Sequence, residues 1–315
     1  MDTQKMRYLL KIAELQSVTE AAKELYISQP ALSQIIAYME REHAIKIFER
    51  KDRKLVLTPA GTILIDSIRQ ELRIEENLKR QLDDVKSEQT GTINIGLSHA
   101  RAAQFLPVVL PEFTKLYPKI VLNINTNSSL GFETIVVDGK VDFAFVMDTA
   151  NISPAKKAQL VYEPLFPYCS LLAVPPNHPI AEEANGIFNW TKRPPIDLSR
   201  VKDEPFIRLI KNPRNTLLNQ SIFNKYGFEP KERIVMTDES MICQLVEAGV
   251  GFALIQEHHA LARKSGVYFM LDCSDVTSTL CLIYRKDAYL TKPANDFIEL
   301  IRHHSQLGTW QVSGY

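Results

Sequence analysis

The sequence predicts a small N-terminal all-α domain that carries a hairpin, then a long helix, and then a larger α/β domain made of two lobes. Apolar residues recur at helical spacing near the amino end, a single helical pattern follows to about residue 85, and strand patterns alternate with helical patterns beyond it. The predicted boundaries are 1–58, 59–89 and 90–315. Within the last domain we expect lobe I at about 90–164 and 267–305, and lobe II at about 165–266.

The composition is that of an ordinary globular protein. The chain has 315 residues, 45% of them hydrophobic, and its 37 basic residues balance its 37 acidic residues. A net charge of zero gives no sign of a nucleic-acid partner, so any such sign must be local. The amino end lacks a signal-peptide pattern, and no apolar run approaches the roughly 18 residues of a membrane helix. We therefore expect a cytoplasmic protein with no membrane partner.

The four cysteines give no metal-site signature. Cys169, Cys243, Cys273 and Cys281 show neither C-x-x-C spacing nor a flanking set of histidines. We expect buried structural thiols and no metal or cofactor. A redox pair of Cys273 and Cys281 stays open, because it depends on whether the fold brings the two residues together.

Three short helices open the chain. A helical pattern covers about 6–15, and Ser17 and Glu20 have the spacing of a capping box for a second helix that ends near residue 25. Ser28 is placed to cap a third helix to about Glu42, with Pro30 in its first turn. The short turn and the polar start of the third helix fit a helix-turn-helix, although a plain three-helix bundle would show the same pattern.

The segment from Ile45 to Leu57 is basic and prone to form strands. A hairpin is the simplest structure for it, and its excess of lysine and arginine would suit a phosphate backbone. A run of charge alone is usually solvated surface. Thr58 and Pro59 then start a helix to about Val85, whose apolar seams and charged outer face favour a dimerising linker over a core helix.

The first sixty residues resemble the DNA-binding domain of LysR-type transcriptional regulators. The matching segments are Ser17-Val18-Thr19-Glu20-Ala21-Ala22, Leu25, Ile27-Ser28-Gln29-Pro30-Ala31-Leu32-Ser33, Phe48-Glu49-Arg50, Arg53 and Leu57-Thr58-Pro59-Ala60-Gly61. The resemblance implies a winged helix-turn-helix and, as partners, double-stranded DNA, a second copy of the chain in a dimer or tetramer, and RNA polymerase. It also implies the following DNA-binding residues: Ser28, Gln29, Pro30, Ala31, Ser33, Gln34, Arg50, Arg53 and Lys54.

The rest of the chain predicts a ligand-binding α/β domain. Strands near 92–97, 120–124 and 141–146 alternate with helices near 102–117 and 130–137, which is the βαβαβ order of a parallel sheet. Ligands of such sheets bind beyond the carboxyl ends of the strands. Polar residues follow two of these strand ends, and we expect them to bind a carboxylate or another small polar group, although each serine could simply cap a helix. These residues are Ser98, His99, Ser128 and Ser129.

The order of elements from about residue 165 is similar to the effector domain of the same family, which is built like a type II periplasmic solute-binding protein. The segment Val246-Glu247-Ala248-Gly249-Val250-Gly251 is the clearest match. The resemblance implies a small-molecule effector in a cleft lined by Ser98, Ser128, Ser129 and Thr237, with Arg101 or Arg208 pairing with an anionic ligand. Two features depart from the family pattern: Gln256 stands where proline is usual, and the connection 185–196 is longer.

Two other classes of protein explain the sequence less well. A solute-binding transport component would share the two lobes, yet it would need export and would have no use for a basic hairpin. An enzyme would need catalytic residues or a phosphate loop, and the sequence has no GxSxG, HExxH or Walker pattern. Adjacent residues on a helix point in different directions, so the pairs His258-His259 and His303-His304 are poor metal chelators, and we expect them to be solvated surface. We therefore do not expect an enzyme.

Overall fold

A computed structural model divides the chain into two compact units, Met1–Ser87 and Glu88–Tyr315. The structure describes residues 2–51, 54–86, 90–126, 131–148, 153–184, 192–210, 213–236, 239–261, 266–272 and 278–307.

The first unit contains four helices and one antiparallel hairpin among its described residues. The helices are α1 Thr3–Leu15, α2 Val18–Glu24, α3 Gln29–Glu42 and α4 Pro59–Val85, and the hairpin strands are β1 Phe48–Lys51 and β2 Lys54–Leu57. The three predicted helix caps are confirmed: Ser17, Ser28 and Thr58 each accept a backbone N–H from the residue three positions ahead.

The core of the first unit joins all four helices to the hairpin. Leu9, Leu32 and Ile47 are fully buried in it, and so are Ile65 and Ile68 from the start of α4. Both isoleucines belong to one of the apolar seams from which the sequence predicts a dimerising linker helix. They pack instead inside their own domain, because the first turns of α4 complete its core. The far half of α4 leaves four large apolar side chains exposed, Ile74, Leu78, Leu82 and Val85, whereas the near half exposes Ile63.

The second unit alternates strands and helices, as predicted. Its first part contains β3 Gly91–Gly96, α5 His99–Leu116, β4 Ile120–Asn125, α6 Phe132–Val137, β5 Phe143–Met147, α7 Pro154–Lys157 and β6 Leu160–Tyr168. Its second part contains β7 Ser170–Val174, α8 Pro179–Glu182, β8 Pro205–Leu209, α9 Pro213–Lys225, β9 Lys231–Met236, α10 Glu239–Glu247, β10 Ala253–Gln256, α11 Glu257–Leu261, β11 Val267–Met270, β12 Ser278–Arg285 and α12 Lys292–Leu307.

The sheet of lobe I has the strand order β4-β3-β5-β12-β6. Strands β4, β3 and β5 run parallel, as the βαβαβ order predicted, whereas β12 is antiparallel to both of its neighbours. Side chains from α5 and α12 pack on this sheet. Phe113 of α5 and Phe297 of α12 meet edge to face, with ring centroids 5.3 Å apart.

Lobe II repeats the same topology with different residues. Strands β10, β7 and β11 pair antiparallel, and β8 pairs parallel with β9. A parallel bridge between Phe206 and Phe252 joins β8 to the start of β10. The resulting order, β9-β8-β10-β7-β11, matches that of lobe I. Strand β7 of lobe II directly follows β6 of lobe I, and β12 of lobe I directly follows β11 of lobe II. The two lobes are therefore joined by two connections.

The lobe boundaries differ from those we expected. We expected the strand near 267–271 to return to lobe I, but β11 pairs with β7 in lobe II and the return occurs only at β12. Strand β6 also stays in lobe I as far as Tyr168. The apolar pattern of a strand does not specify which sheet accepts it. The long connection packs on lobe II through Ile196, which bridges Leu271, while its residues 185–191 lie outside the described residues.

Candidate nucleic-acid interface and ligand cleft

The start of α3 presents a polar surface. Ser28, Gln29, Pro30 and Gln34 are exposed, and Ala31 and Ser33 are half-buried. Gln29 Nε2 donates to Ser33 Oγ at 3.0 Å, so the two side chains form one hydrogen-bonded edge. Leu32 and Met39 on the opposite face are fully buried in the core. The fold therefore keeps the polar face of α3 accessible, because packing occupies the other face.

The hairpin places several cations next to one another. Arg50, Lys51 and Lys54 are exposed, and none of them forms an ion pair with the described part of the chain. In the hairpin register Lys51 faces Lys54 across the two strands. Arg53, which we expected to contact DNA, lies outside the described residues. Two lysines that face each other across a hairpin repel each other, and an anion bound beside them would offset this repulsion.

Ser98 and His99 lie where lobe I begins its first helix. Ser98 caps α5 by accepting the backbone N–H of Arg101, with 3.4 Å between the nitrogen and Oγ. It is half-buried, and His99 is exposed. Ser128, Ser129 and Thr237, which we expected beside Ser98, lie outside the described residues.

Arg101 is buried at the junction of the two lobes. Its side chain is 4% exposed, and its guanidinium donates to Gln104 Oε1 at 3.0 Å and to Met147 Sδ at 3.6 Å. Helix α5 contacts α11 of lobe II, and Arg101 acts electrostatically on Glu257 and His258 there. Arg101 therefore already faces groups of the opposite lobe.

Arg208 lies within lobe II and contacts β9 and α9. Its guanidinium forms an ion pair with Glu232 of β9 and donates to Gln220 Oε1 of α9 at 2.9 Å. These contacts share no residue with those of Arg101. A ligand would have to compete with Glu232 for Arg208, which the sequence could not reveal because Glu232 is a neighbour only across the sheet.

Three residues at the junction were not predicted as part of the site. Cys169 Sγ donates to Glu257 Oε2 at 3.0 Å, and burial raises the pKa of both groups. Burial, followed by the charge of Arg101 and then by His259, holds the pKa of His258 well below its ordinary value. We expected His258 to be solvated surface, and this was wrong: it is 8% exposed because α11 packs against α5.

Other expectations concern cysteines and histidines elsewhere. Cys243 and Cys281 are buried free thiols, and Cys273 lies outside the described residues. His304 lies 3.7 Å from Glu112 across α12 and α5, and His303 is exposed. Among the residues that the structure describes, no cluster of histidine, cysteine or carboxylate side chains could hold a metal ion. In the same set, no helix has both the length and the apolar character to cross a membrane.

Two family models match the chain. A model of a bacterial regulatory helix-turn-helix protein of the lysR family matches residues 3–62, and a model of the LysR substrate binding domain matches residues 86–306. The second match alone spans more than half of the chain, and together they cover both compact units.

Individual relatives agree with these models. The chain is 29% identical over 303 residues to the uncharacterized HTH-type transcriptional regulator YwbI of Bacillus subtilis, covering 95% of each chain. It is 30% identical over 242 residues to the HTH-type transcriptional regulator CysB of Burkholderia cenocepacia, covering 76% of this chain and 73% of CysB. A single-residue variant of full-length OxyR from Pseudomonas aeruginosa shares the fold, with a TM-score of 0.67 at 19% identity, covering 98% of this chain and 95% of OxyR.

These matches confirm the fold class that the sequence predicted, a helix-turn-helix domain followed by a two-lobed substrate-binding domain. The chain is a DNA-binding transcription regulator rather than an enzyme, and it belongs to the LysR family.

Proposed function

We propose that this regulator reads duplex DNA with the first turns of α3 and with the β1-β2 hairpin, and that a small molecule bound between the two lobes controls it. The observation that carries the DNA assignment is the accessible polar edge formed by the exposed Gln29 and Gln34 and the half-buried Ser33, on a helix whose opposite face is buried. Glutamine and serine side chains both donate and accept hydrogen bonds, as base edges in the major groove require.

The hairpin supplies the contacts that do not depend on sequence. Arg50 and Lys54 are exposed on it, and Arg53 lies between them in the chain. Cations at the phosphate backbone displace condensed counterions, which makes the affinity fall as salt rises. We therefore assign Arg50, Arg53 and Lys54 to the backbone or the minor groove, and we assign Ser28, Gln29, Pro30, Ala31, Ser33 and Gln34 to the major groove and its rim.

Fluorescence anisotropy on two duplexes tests these assignments. One duplex is selected by the wild-type chain from a random library, and the other is scrambled. Gln29→Ala should weaken binding to the selected duplex about tenfold and leave the scrambled duplex nearly unchanged. Arg50→Ala should weaken both and reduce the salt slope by about one. Gln70→Ala, on an exposed face of α4, is the matched control.

Equal losses on both duplexes for Gln29→Ala and Arg50→Ala would contradict the division of roles. Binding of both duplexes at the wild-type level by both variants would contradict the interface itself.

For the effector we propose a small anionic molecule, such as a carboxylate, in the cleft between the lobes. Ser98 and the backbone N–H groups at the start of α5 support an anion there, since a helix N-terminus attracts negative charge. His99 lies beside them, and we place Ser128, Ser129 and Thr237 around the same ligand. Arg101 is buried in the first turn of α5, and its positive charge would attract the anion without direct contact. Arg208 would bind the ligand only if the ligand displaced Glu232.

A thermal-unfolding screen of small carboxylates and aromatic acids against the full chain tests this site. A ligand at a hundredfold excess over its Kd stabilises the native state by about 2.7 kcal/mol. Ser98→Ala should reduce the shift of any hit, whereas Ser153→Ala, at the exposed start of α7, should leave it unchanged. A hit that stabilises Ser98→Ala as strongly as the wild type would place the ligand elsewhere.

Self-association follows from the far half of α4. Ile74, Leu78, Leu82 and Val85 lie at helical spacing and are exposed in a single copy, so a second copy would bury them. We propose a dimer or tetramer that uses this stripe and acts on RNA polymerase in the cytoplasm. Leu78→Glu with Leu82→Glu should shift the mass measured by light scattering toward the monomer, while Lys79→Glu should not.

Control by the ligand requires that it bind two states of the oligomer with different affinity. We propose that closure of the lobes changes how the copies pack and thereby the spacing of the α3 helices. A saturating ligand should then change the footprint length or the DNA bend. An unchanged footprint and bend at saturation would rule out this coupling.

A further inference from the structure

The carboxylate of Glu40, near the end of α3, binds the start of the hairpin. Its Oε1 accepts the backbone N–H of Ile47 at 2.9 Å, and its Oε2 accepts Lys46 Nζ at 2.7 Å. The side chain of Glu40 is only 12% exposed, whereas that of Lys46 is 79% exposed. The backbone contact is therefore the sheltered one, and the ion pair is largely at the surface, where such pairs contribute little.

The backbone carbonyl of Glu40 also binds the segment between α3 and β1. Ala44 follows the end of α3 in the left-handed region, at φ 52°, and its N–H donates to Arg41 O at 3.3 Å. The N–H of Ile45 reaches back to Glu40 O at 3.0 Å. This pair of bonds is a Schellman turn, which reverses the chain tightly after the helix. The segment 45–47 is thus bound to Glu40 through both its backbone and its side chain.

The other side of this segment is bound to the start of α4. Thr58 donates its backbone N–H to Ile47 O at 3.0 Å and its hydroxyl to Lys46 O at 2.5 Å. Gly61 approaches so closely that a Cβ built on it would lie 2.0 Å from Ile47 O. Ile47 itself is fully buried in the core. The peptide between Lys46 and Ile47 is therefore held between α3 and α4.

Strand β1 begins at Phe48, the residue directly after this clamp, and Arg50 follows two residues later. A displacement at the Ile47 N–H therefore shifts the strand that carries the hairpin cations relative to the polar edge of α3. Phe48 and Leu57 still anchor the hairpin in the core, so loss of the Glu40 contact would change its angle rather than release it.

From this geometry we propose that Glu40 is a positioning residue that sets the angle between the recognition helix and the hairpin, and thereby the sequence specificity of DNA binding. The proposal rests on the proposed roles of α3 and the hairpin. Glu40 touches no DNA in it. The correct operator has to satisfy both elements at once, whereas random duplex can be held by each element separately.

The variants separate the possible contributions of Glu40. Glu40→Gln keeps an acceptor oxygen for the Ile47 N–H, Glu40→Met keeps the length without an acceptor, and Glu40→Asp keeps the charge but is one methylene too short. Lys46→Met removes only the exposed ion pair. Glu42→Gln, on an exposed position of the same helix, is the matched control. All are measured as full chains at a temperature where circular dichroism shows native helix content.

Affinity is measured for the duplex that the wild type selects from a random library and for scrambled duplex. Glu40→Met and Glu40→Asp should lower the preference for the selected duplex about tenfold and change scrambled binding by less than about twofold. Hydroxyl-radical footprints should lose protection at the hairpin positions and keep it at the α3 positions. Glu40→Gln and Glu42→Gln should behave like the wild type, and Lys46→Met should keep the wild-type preference for the selected duplex.

Several outcomes would overturn the proposal. A preference unchanged in Glu40→Met and Glu40→Asp, or losses of the same size on both duplexes, would leave Glu40 with a structural role only. A loss in Lys46→Met as large as that in Glu40→Met would assign the effect to the ion pair instead. Gln29→Ala, measured alongside, distinguishes failure of the proposed DNA-reading role of α3 from failure of the proposed positioning role of Glu40. If Gln29→Ala alone lowers the preference for the selected duplex, α3 reads DNA and Glu40 does not position the hairpin.

Discussion

The thiol of Cys169 donates a hydrogen bond to the carboxylate of Glu257, with 3.0 Å between Sγ and Oε2. Cys169 lies in the one-residue connection between β6 of lobe I and β7 of lobe II, and Glu257 begins α11 of lobe II. Arg101 of lobe I acts on the same carboxylate. A polar contact thus lies at one of the two connections between the lobes.

The first prediction concerns the reactivity of Cys169. Burial and then the charge of Glu257 raise the pKa of this thiol, and only the thiolate is nucleophilic. We expect Cys169 to react slowly with iodoacetamide at pH 8, and Glu257→Gln to increase the rate several-fold because it removes the negative charge.

The measurement uses a chain in which the other three cysteines are serine, so that alkylation reports Cys169 alone. The same chain in urea gives the rate of the unfolded thiol as a control. If Glu257→Gln alkylates no faster than its parent, the carboxylate does not govern this thiol.

The second prediction is a pH dependence of stability that arises from His258. In the folded state its pKa lies well below the ordinary value, because of burial first and then the charges of Arg101 and His259. An unfolded histidine titrates near about 6.5. The unfolded state therefore binds a proton that the folded state refuses, and stability that is present above about pH 6.5 is lost as the pH falls below it.

Chemical denaturation at pH 7.5 and at pH 5.5 measures this loss. The decrease in unfolding free energy should be smaller in His258→Gln than in the wild type, while His43→Gln, which changes an exposed histidine, should retain the full decrease. Identical pH dependence in His258→Gln and the wild type would show that His258 is not the group responsible.

Local chemistry in the sequence predicted the first unit closely. The three caps depend on a hydroxyl and a backbone N–H three residues apart, so Ser17, Ser28 and Thr58 could be identified without knowledge of the tertiary fold. Helix α4 begins and ends where Pro59 and Val85 were predicted. The polar edge of α3 followed from the same local pattern, although which residues touch DNA remains a prediction.

The misplaced features depend on contacts far apart in sequence. The β11 strand joins lobe II because Phe269 and its neighbours pair with β7, almost a hundred residues earlier. Burial of His258 depends on α5, and the ion pair of Arg208 depends on a neighbouring strand. Periodicity reports that a segment has a buried face but not what covers it, so these features could not be predicted from it.

The third prediction is that Ala44→Gly stabilises the first unit. Ala44 follows the end of α3 in the left-handed region, at φ 52°, where glycine has no steric cost. Relief of this strain is partly offset by the greater freedom of glycine in the unfolded chain, so we expect a gain of about 1 kcal/mol. Thermal unfolding measures it, with Ala37→Gly at an exposed interior position of α3 as the destabilising control.

A decrease in stability on Ala44→Gly would contradict this account, since the Schellman bonds from Ala44 and Ile45 do not need a side chain at position 44.

The fourth prediction concerns the contact between α4 and the connection ahead of β1. A Cβ on Gly61 would lie 2.0 Å from Ile47 O, which is backbone that Glu40 and Thr58 hold in place. Alanine normally favours a helix over glycine by about 1 kcal/mol, but here the overlap should outweigh that gain. We expect Gly61→Ala to destabilise the protein by about 2 kcal/mol.

Gly131→Ala is the matched control, because no atom in the described part of the chain lies within 4 Å of the position where its Cβ would stand. Its unfolding free energy should change by less than about 0.5 kcal/mol. Gly61→Ala should also lower the preference for the selected duplex, since Ile47 can yield only by moving relative to Glu40 and Thr58 and taking β1 with it. Should Gly61→Ala be as stable as the wild type, the contact between α4 and Ile47 would be looser than these distances require.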